Sequence, residues 1–178
     1  MRTGFVELRG SPLLKAPLRI SGEYRRPQAD TLVREVTLPY RETTTIVSGA
    51  SGAGEVTIAR EGKSPRRFSL ARAPELVHLQ ASFGALLAGD RTQLERHYRI
   101  ATQGTRERWT MALVPKDAAL AKTVQGITLY GRGAELRCIE TQPPGQPLQR
   151  TLLAGAAREA PDAADPAALA ALCRGGAA

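Results

Sequence analysis

From Phe5 to Arg60, apolar and polar residues alternate in short runs: Phe5 to Arg9, Leu18 to Arg25, Thr31 to Leu38, Thr43 to Ser48 and Glu55 to Arg60. Gly, Pro and Ser separate the runs, a rhythm that predicts an antiparallel β-meander. Leu18 and Ile20, then Leu32, Arg34, Val36 and Leu38, fall on one face at period two, while Val33, Glu35 and Thr37 take the other. The loop Gly49 to Gly54 and the turn Glu61-Gly62-Lys63-Ser64-Pro65 read as hairpin tips, the second leading into a strand from Arg66 to Leu70.

The period then changes. Leu76, Leu79, Phe83, Leu86 and Leu87 recur at helical spacing behind Pro74, and Gly89 closes the element, so an amphipathic helix is expected from Pro74 to Ala88. Asp90 can cap a short turn through Leu94, and strand character returns at Tyr98, Ile100 and Thr102 and from Arg108 to Val114. Lys116 to Lys122 suits a helical turn. Thr123 to Tyr130 and Glu135 to Thr141 form a hairpin around Gly131-Arg132-Gly133-Ala134, and a last strand runs from Leu148 to Leu153. In the tail, Asp165 is an N-cap, Pro166 the first helical residue and Gly175 the stop; Leu169, Leu172 and Cys173 share the docking face. Ten or eleven strands with few helices make the expected fold mainly β with helices (α+β).

At 178 residues the chain suits a single domain (1–178), with sheet and central helices in 1–156 and a linker and terminal helix in 157–178. The net charge of +8 makes the surface attractive to anions. Basic residues are nevertheless spread singly or in pairs (Arg25 and Arg26, Arg66 and Arg67), which reads as a solvated strand face. Aromatic residues are few and scattered, which argues against a single-stranded nucleic-acid platform. No apolar run approaches the length of a membrane-spanning helix, and no secretory leader precedes the first strand, so the chain reads as either cytosolic or trimmed of a signal peptide.

Motifs for chemistry are lacking. Gly62-Lys63-Ser64 resembles the end of a phosphate-binding loop, but Thr57 stands where that loop needs glycine and no helix pattern follows. His78 sits inside the helical pattern with no nucleophile beside it, and Ser48 and Ser51 lack a strand-elbow-helix setting. Glu135, Glu140 and Asp117 form no evident catalytic carboxylate pair. Cys138, Cys173, His78 and His97 do not have zinc-site spacing, and neither metal nor cofactor is expected. The two cysteines suit a disulfide between a late strand and the last helix, or two buried free thiols.

A long antiparallel sheet with this much apolar surface on one face is not covered by one small helix unless it curls strongly. Curling would create an apolar pocket suited to acyl chains, with a side-chain-filled core as the alternative.

Ser21-Gly22-Glu23-Tyr24-Arg25-Arg26-Pro27 followed by Leu32, then Leu87-Ala88-Gly89-Asp90, Trp109-Thr110-Met111-Ala112-Leu113-Val114-Pro115 and Ile127-Thr128-Leu129-Tyr130-Gly131, resemble segments of the LolA-like periplasmic carriers of outer-membrane lipoproteins, in a divergent branch. The resemblance runs from Phe5 to about Ala156. It implies an unclosed β-barrel holding acyl chains, helices acting as a lid, and an arginine before a proline latching that lid; Arg26, before Pro27, matches that position. The strand from Gly22 to Pro27 is shorter than the family's, and the family's N-terminal helix does not precede Phe5, which points to trimming.

What the resemblance implies is a monomeric periplasmic carrier, not an enzyme and not a nucleic-acid binder, working between an inner-membrane donor and an outer-membrane acceptor; a protein-interaction or sensor module is the alternative. The periplasm favours the Cys138–Cys173 disulfide. The candidate cavity residues are Leu18, Ile20, Leu32, Val36, Leu38, Ile46, Val56, Ile58, Phe68, Trp109, Met111, Leu113, Ile127 and Leu129, with Leu76, Leu79, Phe83, Leu86 and Leu87 as lid. Register decides which of them face inward, since a one-residue slip reverses the face of a strand.

Overall fold

The structure, a computed structural model, describes residues 2–49, 54–72, 85, 90–162 and 165–175. Eleven strands form one antiparallel sheet: β1 (Arg2–Arg9), β2 (Leu18–Gln28), β3 (Thr31–Leu38), β4 (Glu42–Ser48), β5 (Gly54–Arg60), β6 (Arg66–Ser69), β7 (Tyr98–Thr105), β8 (Arg108–Pro115), β9 (Gly126–Arg132), β10 (Glu135–Gln142) and β11 (Gln149–Leu153). Their order is β6-β5-β4-β3-β2-β1-β11-β10-β9-β8-β7. The sheet is not closed, because β6 and β7 each have one neighbour. Four helices are described: α1 (Arg91–His97), α2 (Ala118–Ala121), α3 (Ala154–Glu159) and α4 (Pro166–Cys173), with a 3-10 turn at Leu70–Arg72. The fold is the mainly β, α+β arrangement that the alternation predicts.

Nearly every strand neighbour is a sequence neighbour, as short turns require. The exception is β1 against β11, which pairs Phe5 with Leu153 and Val6 with Leu152. Period-two patterning reports faces but not partners, so this pairing is invisible in the sequence.

Contacts divide the chain into two compact units, residues 1–3 with 21–94 and residues 4–20 with 95–178. In the first, the hairpins β3–β4, β4–β5 and β5–β6 run in simple register, whereas β2–β3 shifts register twice, between Ser21 and Gly22 and between Arg25 and Gln28. Asp90 accepts from Gln93 N at 3.1 Å and so caps α1, as its position suggests. The helix expected from Pro74 to Ala88 lies outside the described residues except for Ala85, which is helical and buried.

In the second unit, α4 begins as its sequence dictates: Asp165 accepts from Ala168 N at 2.7 Å and Pro166 opens the first turn, where its missing N–H costs nothing. Its apolar residues Leu169, Leu172 and Cys173 are buried against Val6, Leu8, Cys138, Leu152 and Ala156, a core on one side of β1, β11 and β10. Cys138 and Cys173 are joined by a disulfide. The short α3 is legible in no apolar period; its small residues Gly155 and Ala156 are buried against the sheet. The Lys116 to Lys122 turn is confined to Ala118–Ala121, capped by Asp117 accepting from Ala119 N at 2.6 Å.

Candidate functional site

In the first unit the register places Leu32 opposite Ile46, Ile46 opposite Val56 and Val56 opposite Phe68. Four candidate cavity residues therefore form one apolar row across β3 to β6. Leu32 and Val56 are buried, and Ile46 and Phe68 half-buried. The next row on that face is mixed: Arg34, Thr44, Ile58 and Arg66. Beyond it stand Val36, Glu42 and Arg60, beside a cavity of 570 Å³ that charged residues dominate. The apolar surface is thus a band, with Ile58 at its polar margin. Leu38 is 62% exposed; of the two candidates that belong to the second unit's stretch 4–20, Ile20 is fully buried and Leu18 exposed.

The second unit has its own rows. Met111 faces Leu129 and Leu129 faces Ile139; Ile100 faces Leu113 and Leu113 faces Ile127. Leu113, Ile127, Leu129 and Ile139 are all buried. Ile139 and Ile100 belong to these rows but are absent from the candidate set, because polar neighbours two positions away, Arg137 and Thr141 for Ile139, hide the apolar face of each strand. Trp109 is placed differently. A side chain on Gly131 would meet the indole at 1.9 Å, so glycine makes room for the ring, and its Nε1 donates to Gly133 O at 3.0 Å.

Arg26 is half-buried and folds onto the β2–β3 turn, where its Nε and Nη2 both donate to Ala29 O, at 3.2 and 2.6 Å. The lid residues Leu76, Leu79, Phe83, Leu86 and Leu87, and His78 with them, lie outside the described residues.

Charge is concentrated beneath α4. Glu140 is buried, and its Oε1 accepts from Arg150 Nε at 2.8 Å and Nη2 at 2.6 Å, so that two guanidinium N–H groups converge on one carboxylate oxygen with both side chains nearly excluded from solvent. Tyr130 OH donates to Glu140 Oε2 at 3.0 Å, and Arg174 Nη2 stands 3.4 Å from Oε1. Burial, reinforced by the adjacent carboxylate, raises the Tyr130 pKa above its ordinary value; Arg174 is raised chiefly by the charge of Glu140. The sequence shows these residues but not their meeting: Glu140 and Arg150 face each other only once β10 pairs with β11. Among the described residues no group of acidic, histidine and cysteine side chains could hold a metal, and no helix is long and apolar enough to cross a membrane.

Comparison with curated proteins gives no match. Among solved structures, a LolA superfamily protein from Nitrosomonas europaea is similar at 11% identity over 86% of this chain and 82% of that one, with a TM-score of 0.38. The family described as outer membrane lipoprotein carrier protein LolA-like matches residues 1–177. That match spans nearly the whole chain, which therefore belongs to the LolA-like family of outer-membrane lipoprotein carriers.

Proposed function

We propose that this protein is a periplasmic carrier that shields the acyl chains of lipoproteins or other lipids and moves them from an inner-membrane donor towards an outer-membrane acceptor. The observation that carries the reading is the row Leu32, Ile46, Val56 and Phe68, reinforced by family membership. Four strands at about 4.8 Å spacing make such a row about 14 Å long, on the scale of the length of an extended acyl chain. Each methylene removed from water contributes about 0.8 kcal/mol, so partial cover on such a band is enough to hold a chain reversibly. On one side of the row Arg34, Thr44 and Arg66 share the face and would keep the polar end of a lipid near water.

On this reading Leu18, Ile20, Val36, Leu38, Ile58, Met111, Leu113, Ile127 and Leu129 are further lining positions, whereas Trp109, whose indole is held beside arginines, is not one of them. Release needs no chemistry: cargo leaves when the acceptor binds it more tightly than the carrier does.

Native mass spectrometry of the purified protein, before and after incubation with diacyl lipid, tests the proposal. The expected result is a lipid-bound species that Ile46→Arg, a charge placed at a half-buried position of the row, reduces at least several-fold. A wild-type protein that stays empty when offered diacyl lipid would make it an interaction or sensor module instead.

A further inference from the structure

We infer that the second unit carries an anion site for a phosphate group, built by Arg108, Arg132 and Arg174 at the end of α4 and separate from the acyl-binding rows. The site is a cavity of 350 Å³, within the size range of small-ligand pockets. Four arginines line it, Arg108, Arg132, Arg137 and Arg174, against two glutamates, Glu107 and Glu159.

These arginines differ in how far they are already neutralised. Arg137 is committed, donating to Glu135 at 3.1 Å and Glu159 at 2.7 Å. Arg174 is the outer partner of Glu140, whose oxygens are closer to Arg150 and Tyr130, and its side chain remains 54% exposed. Arg108 donates through Nη2 to Arg174 O at 3.0 Å, a neutral acceptor that positions the guanidinium without cancelling its charge. Arg132 makes no ion pair among the described residues. Arg108 and Arg132 adjoin the last paired positions of β8 and β9, Trp109 and Gly131, and both line this cavity. Like charges brought together on neighbouring strands repel each other.

The frame around these side chains is tied down. Gly133 N donates to Arg106 O at 2.7 Å, joining the β7–β8 and β9–β10 hairpin tips, and the Trp109 indole is bonded to Gly133. An oxyanion with several acceptor oxygens satisfies the spare N–H groups of three arginines at once and removes the repulsion between two of them. Phosphate matches the guanidinium fork in a bidentate way, which favours a phosphate monoester or diester over a halide.

Trp109 lines this cavity and is the sole tryptophan, so its fluorescence reports on the site directly. Titration with inorganic phosphate at constant ionic strength, with chloride as control, is expected to give a saturable change. The double variant Arg108→Gln/Arg132→Gln is expected to weaken it roughly tenfold or more. Equilibrium dialysis of radiolabelled phosphate covers an occupied site that leaves the fluorescence unmoved, and a denaturation midpoint checks that the variant folds.

Sedimentation with phosphatidylcholine vesicles, with and without phosphatidic acid, separates the two sources of the group. Phosphate binding without vesicle binding identifies a soluble phosphate ester. Binding to the anionic vesicles alone, competed by phosphate and lost in the variant, identifies a lipid headgroup. No saturable phosphate binding by either method, or binding the double variant retains in full, overturns the inference. Uptake of diacyl lipid is read separately, so an empty anion site leaves the carrier reading standing.

Discussion

Two arginine–glutamate pairs on the same sheet show how differently its two units are built. In the first unit Arg25 and Glu35 meet at 2.5 Å across β2 and β3, with side chains 36% and 42% exposed. In the second, Arg150 and Glu140 meet at 2.6 Å across β10 and β11, with 12% and 6% exposed. Distance and chemistry are alike. What differs is the cover: α4 and the disulfide lie over the second pair, whereas water reaches the first. An exposed pair is screened and is worth little, while a buried one is costly to form and costlier to break by halves. The apolar rows do not repeat this contrast: each unit mixes buried members, Leu32 and Val56 or Leu113, Ile127 and Leu129, with half-buried ones, Ile46 and Phe68 or Ile100 and Met111. What separates the units is the cover over their charged pairs.

The sharpest way to break this contrast is to delete the two acids in turn. Glu140→Ala leaves Arg150 buried without its carboxylate and is expected to lower stability by about 3–5 kcal/mol. Glu35→Ala is expected to cost at most about 1 kcal/mol. Urea unfolding of the two variants reads the difference directly, and equal losses would mean that burial does not separate the pairs.

Opening the disulfide comes next in size. Cys173→Ser frees a 35-residue separation and is expected to cost about 2–4 kcal/mol, confined to the second unit. Hydrogen exchange should show α4 and β10 losing protection while β3 to β5 keep theirs. Uniform loss would instead make the two units one cooperative block.

The smallest effect belongs to Tyr130. Its raised pKa means the folded state holds the phenolic proton more tightly than the unfolded state does. The resulting stability is fully present below the ordinary tyrosine value of 10.0 and is lost as pH rises through the higher folded value. Tyr130→Phe is expected to cost about 1 kcal/mol at neutral pH and to flatten the alkaline decline relative to wild type, measured as unfolding midpoint against pH. An unchanged alkaline slope would take Tyr130 out of the buried network.

Much of the architecture is legible because its signals are local. Alternation at Leu32, Arg34 and Val36 marks a strand whatever it pairs with, and Asp165-Pro166 marks a helix start before any packing exists. α3 escapes such a reading, since six residues of mostly small side chains carry no apolar period to detect. The candidate site is legible only in part. Leu32, Ile46, Val56 and Phe68 form one row because their strands pair in simple register, but Ile139 and Ile100 were hidden by polar neighbours along their own strands. Trp109 shows the limit from the other side: large and apolar, it fits a cavity by type, yet Gly131 and Gly133 hold it beside arginines.

What this sequence determines by itself is therefore its elements: the strands, the capped terminal helix, the apolar side of strands that alternate cleanly, such as β3, and the basic charge. The tertiary structure alone decided the partners. The first strand lies beside the last, Glu140 gathers Arg150, Tyr130 and Arg174, and Arg108 and Arg132 line one cavity with Arg174. The reason is physical. Backbone preference and period act over a few residues, so they are written in neighbouring letters, whereas burial and charge pairing depend on which distant strands share an edge.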